Sequence, residues 1–392
     1  MEEEDFKKLS NPSYDLEREK EKNSEMLMEA YRNLLEIYKK YCDWREEYYP
    51  IVSLWTIGTY FHQKMLTYPY LYFNASKESG KSRSVRLITF ISDGGEMVNS
   101  MTEAVLFRTK GTLGIDEFER ASRKGSENLL ELLNSAYKRG VKVKRMKKVK
   151  TFTGEEQQVE EFDIFRPIIL ANIWGMDSVL EDRTLSLFLE KTTRDDIANL
   201  LEIWEFDEKI LQTKQIIRTS CSLCSVVTLQ KVYVDWNEYI TTNYTTTRAK
   251  NYTKLHLFKK IRDSGLKGRM LELSFPLIIV ADMIGEEIVD EVIKSLKIIH
   301  IEKNQEAFLE NKDVLLLDMI SQMNDNNEWH SVKRITEDFR QFCSSNEEWM
   351  NDKWLGRALK RLVVIKERKR TNRGIEVKLD IEKAKEKIKI YK

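Results

Sequence analysis

The sequence predicts an α/β chain built on a parallel sheet, with a helical collar ahead of it and further helices and a small mixed unit behind it. Three observations carry that expectation. The stretch Ala75-Ser76-Lys77-Glu78-Ser79-Gly80-Lys81-Ser82 lies between an apolar run, Tyr70-Leu71-Tyr72-Phe73, and a helix-like run from Val85 to Ile91. Strand, tight turn and helix in that order make a phosphate-binding loop. Short apolar runs then alternate with helical spacing, the mark of a parallel sheet. Two of those runs end in polar residues suited to chemistry, Asp116-Glu117 and Asn172.

Composition allows this fold and narrows the partners. With 392 residues the chain is long enough for two or three domains, and 41% hydrophobic residues, with 10% aromatic, fill real cores. Basic side chains number 65 and acidic ones 64, so a polyanion must be held by a local patch and not by bulk charge. The start Met1-Glu2-Glu3-Glu4-Asp5 is the reverse of a basic signal-peptide opening, and the longest apolar run, Phe275 to Val280, stops at Asp282. The expectation is a cytoplasmic protein with no membrane partner. Cys42, Cys221, Cys224 and Cys343 are too scattered for a disulfide framework, and the C-x-x-C pair at Cys221 and Cys224 lacks two further zinc ligands nearby.

Residues 1 to about 24 alternate acidic and basic side chains around Asn11-Pro12-Ser13 and read as a mobile arm. Met26, Ala30, Leu34, Ile37 and Tyr38 then give helical spacing, and a second apolar segment, Ile51 to Phe61, follows Pro50. These form the collar before the first strand.

In the loop, Lys81 is placed to neutralise the β- and γ-phosphates of a nucleotide and Ser82 to ligate Mg²⁺. The motif's opening position, normally Gly, is Ala75, which fits if that residue keeps a negative φ. A helix near residues 84–91, a short strand near Met97 and a helix from Thr102 to Phe107 lead to the strand Thr112-Leu113-Gly114-Ile115, which runs into Asp116-Glu117. An apolar strand ending in Asp-Glu after such a loop suits ATP hydrolysis, with Asp116 in the Mg²⁺ shell and Glu117 orienting the attacking water; the bland reading is a solvated strand end. Pro167 to Asn172 is another buried strand, and its end aims a neutral amide at the γ-phosphate or the water.

Between those strands, a helix from Glu127 to Tyr137 leads into residues 138–150, of which eight of thirteen are basic. Period-two alternation at Val141 and Val143, a turn at Gly154 and a return from Val159 to Phe165 predict a basic β-hairpin. Lys142, Lys144, Arg145, Lys147, Lys148 and Lys150 are its candidate DNA contacts; the alternative is cross-strand pairing with Glu155, Glu156, Glu160 and Glu161. Arg183, ahead of the apolar strand Thr184 to Leu187, is a rigid bidentate donor suited to the phosphate of an adjacent subunit, or to a local salt bridge with Asp182 or Glu181. Residues 194–251 read as helical and carry no assigned chemistry. Arg269 opens an apolar helix that continues through Pro276 to Ile284.

The last segment reads as three helices (Val314 to Met323, Val332 to Cys343, Trp354 to Leu362) and two strands joined by Arg368-Lys369-Arg370-Thr371-Asn372-Arg373-Gly374. That pattern predicts a winged helix whose third helix offers Arg357, Lys360 and Arg361, and whose wing offers Arg370 and Arg373, to DNA; winged helices also bind proteins.

With these residues assembled, the chain resembles AAA+ ATPases of the superfamily-three and MCM-like replicative helicases of archaeal and viral mobile elements, over roughly residues 50 to 300, with the winged helix as a common C-terminal partner. The resemblance implies a nucleotide site of Ala75, Ser76, Lys77, Glu78, Ser79, Gly80, Lys81, Ser82 and Asp116, a catalytic Glu117, a sensor Asn172, a trans-acting arginine finger at Arg183 and a lid sensor at Arg269. It implies ATP and Mg²⁺, single-stranded or forked DNA, and a homo-oligomeric ring, a hexamer. The expected domains are an arm and collar (1–49), a P-loop ATPase core (50–192), a helical lid (193–305) and a winged helix (306–392). The expected function is a helicase or translocase; the alternatives are an initiator or helicase loader, or a nucleotide-sensing DNA-binding regulator.

Overall fold

The computed structural model describes residues 12–75, 78–98, 102–116, 118, 127–151, 154–172, 176–223, 226–241, 254–310, 312–324, 327–344, 347, 349–372 and 374–389. The chain divides into two compact units, Met1–His300 and Ile301–Lys392.

In the first unit the strands are β1 (Tyr70–Ala75), β2 (Glu96–Val98), β3 (Leu113–Ile115), β4 (Lys142–Thr151), β5 (Gly154–Asp163), β6 (Ile168–Asn172) and β7 (Thr184–Leu189). Five of them form one parallel sheet in the order β2-β3-β6-β1-β7, and β4 and β5 pair with each other as a separate antiparallel hairpin. The chain leaves β1 for the far edge at β2 and works back, so β6 ends up between β1 and β3. Register aligns Asn74 with Asn172 and Ile115 with Leu170, which brings the carboxyl ends of these strands to one edge. In open α/β sheets that edge is where ligands bind.

The helices of this unit are α1 (Pro12–Tyr41), α2 (Tyr48–Thr59), α3 (Lys81–Ile91), α4 (Glu103–Arg108), α5 (Glu127–Ala136), α6 (Ser178–Glu181), α7 (Asp195–Ala198), α8 (Glu208–Leu223), α9 (Val226–Thr241), α10 (Leu255–Ser264) and α11 (Gly268–Ile284), and α12 (Glu286–Glu310) begins in it and runs past its last residue, His300. α1 starts at Pro12, so residues 12–24 are helix and not the mobile arm the composition predicts. Proline is tolerated in a first turn, and opposite charges three apart, such as Glu19 and Lys22, suit a solvated helix. α2 is apolar on all sides and all twelve of its residues are buried, as such a helix requires.

α11 packs on α1 and α2, and α8 packs on α1. The collar, the sheet and the helices after the sheet therefore share one continuous apolar core. α3 sits close on β3 because Gly114 has no side chain: a Cβ there would come within 2.2 Å of Thr89 Oγ1. Among the described residues, no helix is long and apolar enough to cross a membrane.

The second unit has its own core. It contains α13 (Lys312–Ser321), β8 (His330–Ser331), α14 (Val332–Phe342), α15 (Asp352–Leu362), β9 (Ile365–Thr371), β10 (Gly374–Leu379) and α16 (Ile381–Ile388), with an antiparallel sheet in the order β8-β10-β9. Ser331 caps α14 by accepting from Arg334 N at 3.1 Å, and Asn351 caps α15 by accepting from Lys353 N and Trp354 N, both at 3.1 Å. The two-residue strand β8 is too short for periodicity to reveal.

Candidate functional site

Ala75 closes β1 in extended conformation, paired with Leu189. The left-handed backbone the loop needs falls at Glu78 (φ 63°) and Gly80 (φ 78°), so the Ala at the opening position is sterically undemanding. Lys81 begins α3 and is buried. The residue ahead of this helix, Gly80, makes no side-chain cap, and the first-turn amides of a helix suit an anion. Ser76 and Lys77 lie outside the described residues.

Gly80, Lys81 and Ser82 line a cavity of about 570 Å³, whose other walls include Asp43, Trp44 and Thr192. This volume lies within the range of small-molecule sites. The opposing walls come from the α1–α2 connection and from the segment after β7. Trp44 donates its indole N–H to Ser84 Oγ at 3.0 Å and stacks on Phe73 with ring centroids 6.0 Å apart. Thr192 Oγ1 donates to Asp43 Oδ2 at 2.6 Å, and Arg83 donates to the carbonyls of Ile197 and Leu200 at 2.6 and 2.7 Å.

At the mouth, Glu78 pairs with Lys191 at 2.6 Å, and the Lys191 ammonium holds the Glu78 carboxyl below its ordinary range. Cys42 also lines the cavity, and burial pushes its thiol up to about 12. Sequence reasoning missed Asp43, Trp44, Lys191 and Thr192. Their only signal is that each lies next to the end of an element that must reach the sheet's carboxyl edge.

Asp116 follows β3 directly and is partly shielded, and Asn172 closes β6 with 1% exposure. The strand order sets Asn172 between the loop strand and the Asp116 strand. Glu117 lies outside the described residues. Among the described residues no cluster of three or more His, Cys, Asp or Glu side chains is arranged to hold a metal.

The two arginines meet elsewhere. Arg183 precedes β7, where its carbonyl accepts from Tyr70 N at 3.1 Å, so it lies at the amino edge of the sheet. Its guanidinium donates to the carbonyls of Asn134 (2.7 Å) and Val179 and sits 5.4 Å from the centroid of the Tyr137 ring. Arg269 lies 5.2 Å from the same ring and donates to Tyr137 Oη at 2.5 Å, Asp182 at 3.0 Å and Glu272 at 2.5 Å. Six-residue strands span about 17–20 Å, so both arginines stand a strand's length from their own chain's loop.

The hairpin pairs without interruption from Lys142↔Asp163 to Thr151↔Gly154. Lys142 and Lys144 both pair with Glu161, at 3.0 and 3.2 Å, and together they hold that carboxyl below its ordinary range. Arg145 pairs with Glu103 of α4 at 2.6 Å and lies over Phe107, which stacks on Phe162 at 5.0 Å. One hairpin face is thereby docked on α4. Lys147, Lys148 and Lys150 are placed by register opposite Gln158, Gln157 and Glu155.

In the second unit Arg357 and Lys360 are exposed along α15, and Arg370 is exposed on β9. Arg361 is held by Asp313 of α13 through two contacts at 2.8 and 2.9 Å, and that hydrogen-bonded carboxylate raises its pKa. Lys369 stands 4.0 Å from the centroid of the Trp329 ring and pairs with Glu376 at 3.0 Å. Arg373 lies outside the described residues.

No family model matches the chain, and no curated protein matches it. Among solved structures it is similar to the A-form apo structure of the C-terminal region of NrS-1, at 13% identity and a TM-score of 0.37, covering 91% of this chain and 75% of that one. It is also similar to the JCV helicase with a thiazolopyridinyl-phenoxyphenyl acetamide bound, at 15% identity and a TM-score of 0.24, covering 67% of this chain and 73% of that one.

Proposed function

We propose that this chain is an ATP-hydrolysing DNA motor, a helicase or translocase of AAA+ type that works as a ring, a hexamer, in the cytoplasm. The observation that carries the reading is the strand order, which sets Asn172 between the Gly80-Lys81-Ser82 loop and Asp116 at one edge of the sheet, beside a cavity lined by that loop. The start of α3, with no side-chain cap at Gly80, and the buried Lys81 suit a triphosphate. In this reading Lys81 neutralises the β- and γ-phosphates, Ser82 and Asp116 hold Mg²⁺, Glu117 orients the attacking water, and Asn172 aims its amide at the terminal phosphate. Bound Mg²⁺ supplies the positive charge that offsets charge developing on the phosphates. Arg183 and Arg269 serve the site of a neighbouring subunit. The β4–β5 hairpin follows the DNA strand, and the second unit, read as a winged helix, adds Arg357, Lys360 and Arg370.

ATP-dependent strand displacement on a forked duplex tests this. It should vanish with Lys81→Ala, and a wild-type chain that neither hydrolyses ATP nor displaces a strand would overturn the reading. A second reading, an initiator or loader whose ATPase switches assembly on DNA, is favoured by the ion pairing of Lys142, Lys144 and Arg145. Hydrolysis without displacement supports that one.

A further inference from the structure

The loop that suits phosphate carries a carboxylate of its own, and a lysine from the end of another strand is bonded to it. Glu78 stands ahead of Gly80 in the chain, and Lys191 Nζ lies 2.6 Å from Glu78 Oε2. Both residues line the cavity that Gly80, Lys81 and Ser82 line. A carboxylate there opposes a bound triphosphate, because like charges disfavour each other at close range. Glu78 also takes a left-handed backbone, φ 63°, which glycine adopts more readily. The loop therefore carries a residue that is unfavourable in both charge and conformation, and its partner Lys191 accounts for it.

The sheet brings Lys191 to the loop. β7 lies beside β1 with Leu189 level with Ala75, so Lys191 leaves β7 at the edge where the loop leaves β1. The backbone is held at the next residue: Thr192 Oγ1 donates to Asp43 Oδ2 at 2.6 Å and accepts from Arg194 N at 3.0 Å. The side chains of the pair lie open to solvent, Lys191 66% and Glu78 75% exposed. An ion pair so exposed adds little to the fold. It is easily exchanged for another. The lysine ammonium is a compact charge on a flexible stem, and a terminal phosphate carries more negative charge than a carboxylate.

We propose that Lys191 is a second phosphate-binding cation of this pocket, whose ammonium exchanges between the Glu78 carboxylate and the γ-phosphate of a bound nucleotide. Glu78 competes with the nucleotide for that ammonium, and a diphosphate, which offers no γ-phosphate, does not win it. The pair thereby tells a nucleoside triphosphate from a diphosphate. The proposal rests on the nucleotide part of the reading above and adds a residue that this reading leaves out.

The test is a double-mutant cycle on the full chain, read as equilibrium binding of N-methylanthraniloyl derivatives of ATP and ADP with Mg²⁺. Lys191→Gln should weaken binding of the ATP derivative about tenfold, the scale of one hydrogen bond to a charged group, and change the ADP derivative far less. Glu78→Gln frees the ammonium and should tighten the ATP derivative. The variant carrying both changes should still bind the ATP derivative several-fold more weakly than wild type. Lys191→Arg keeps the charge and should bind nearly as wild type, and thermal unfolding without nucleotide checks that each variant folds. A double variant that binds like wild type would mean that Lys191 only screens Glu78, and it overturns the proposal. Lys191→Gln that binds like wild type, or that loses both derivatives equally, overturns it too, and all three results leave the nucleotide reading in place. A wild-type chain that binds neither derivative overturns both.

Discussion

Trp44 donates its indole N–H to Ser84 at 3.0 Å, which fastens the connection after α1 to the first turn of the helix that follows the phosphate loop. The same ring packs on Phe73 of β1 and against Tyr38 and Tyr49. One side chain therefore sets the distance between two walls of the cavity. Trp44→Phe keeps the aromatic packing and loses the donor, with an expected cost of about 1 kcal/mol. Trp44→Ala empties a buried site and should cost about 3–5 kcal/mol. Denaturant unfolding measures both, and a fluorescent ATP analogue should bind several-fold more weakly to the Phe variant.

Asn172 is buried at the end of β6, level with Asn74 of the loop strand. If its amide acts on the terminal phosphate or the water, Asn172→Ala should lower steady-state hydrolysis by about 10²-fold, the typical loss for one preorganised donor, with analogue binding nearly unchanged. Asn172→Asp sets a negative charge facing phosphate and should fall further. Equal loss of binding and turnover in both variants would assign Asn172 to the fold alone.

Arg183 and Arg269 share the Tyr137 ring at the edge away from their own chain's loop. Arg183→Ala and Lys81→Ala should each abolish most hydrolysis, with an arginine supplied in trans worth roughly 10³-fold or more. Mixed protomers should recover part of the activity, because an intact loop in one can meet an intact arginine from another. No recovery at any ratio would assign Arg183 to the packing of its own chain, through Asn134 and Val179.

The part of this site that was legible in the sequence is the part whose chemistry is local. Gly80-Lys81-Ser82, Asp116 and Asn172 each follow an apolar run, and the period of that run places them at a strand end. The order of the strands is not local: nothing in residues 168–172 says that they insert between β1 and β3. Asp43 and Thr192 lie far apart in the chain and meet because α1 and β7 both end at the carboxyl edge. Arg183 shows the limit from another side. Its carboxylate neighbours Glu181 and Asp182 suggest a local salt bridge, yet its guanidinium donates to the backbone carbonyls of Asn134 and Val179, groups that every residue carries and no sequence pattern marks. The charged residues before Met26 read as an arm because they lack an apolar stripe, whereas an exposed helix needs none when its end is solvated.

Glu161 is shared by Lys142 and Lys144, so the root of the hairpin offers DNA less positive charge than its sequence suggests. Glu161→Gln removes that competition. Binding to single-stranded DNA should tighten at low salt, and the slope of log K against log salt should steepen by about 0.7 for each lysine that gains a phosphate. Fluorescence anisotropy across a salt series reads both. An unchanged slope would mean that these lysines do not contact phosphate.

Asp207 joins the end of α1 to the start of α8, accepting from Lys40 at 2.7 Å, Tyr41 at 3.0 Å and the backbone N–H of Lys209 at 3.1 Å. Partial burial pushes its carboxyl up, but the hydrogen bonds from Lys40 and Tyr41 outweigh that and hold it below the ordinary range. A carboxyl whose folded pKa is lowered adds stability that is present above its unfolded pKa, near 3.9, and is lost as pH falls through the folded value. Asp207→Asn should therefore lower the melting temperature at pH 7 by about 2 °C, the scale of one such contact in a unit of this size. The gap between variant and wild type should begin to narrow as pH falls below the unfolded value, near 3.9, and close only at the lower pH where the folded carboxyl takes up its proton. A gap of constant size from pH 7 to pH 3 would mean that the ion pair with Lys40 contributes nothing and that the loss lies in packing alone.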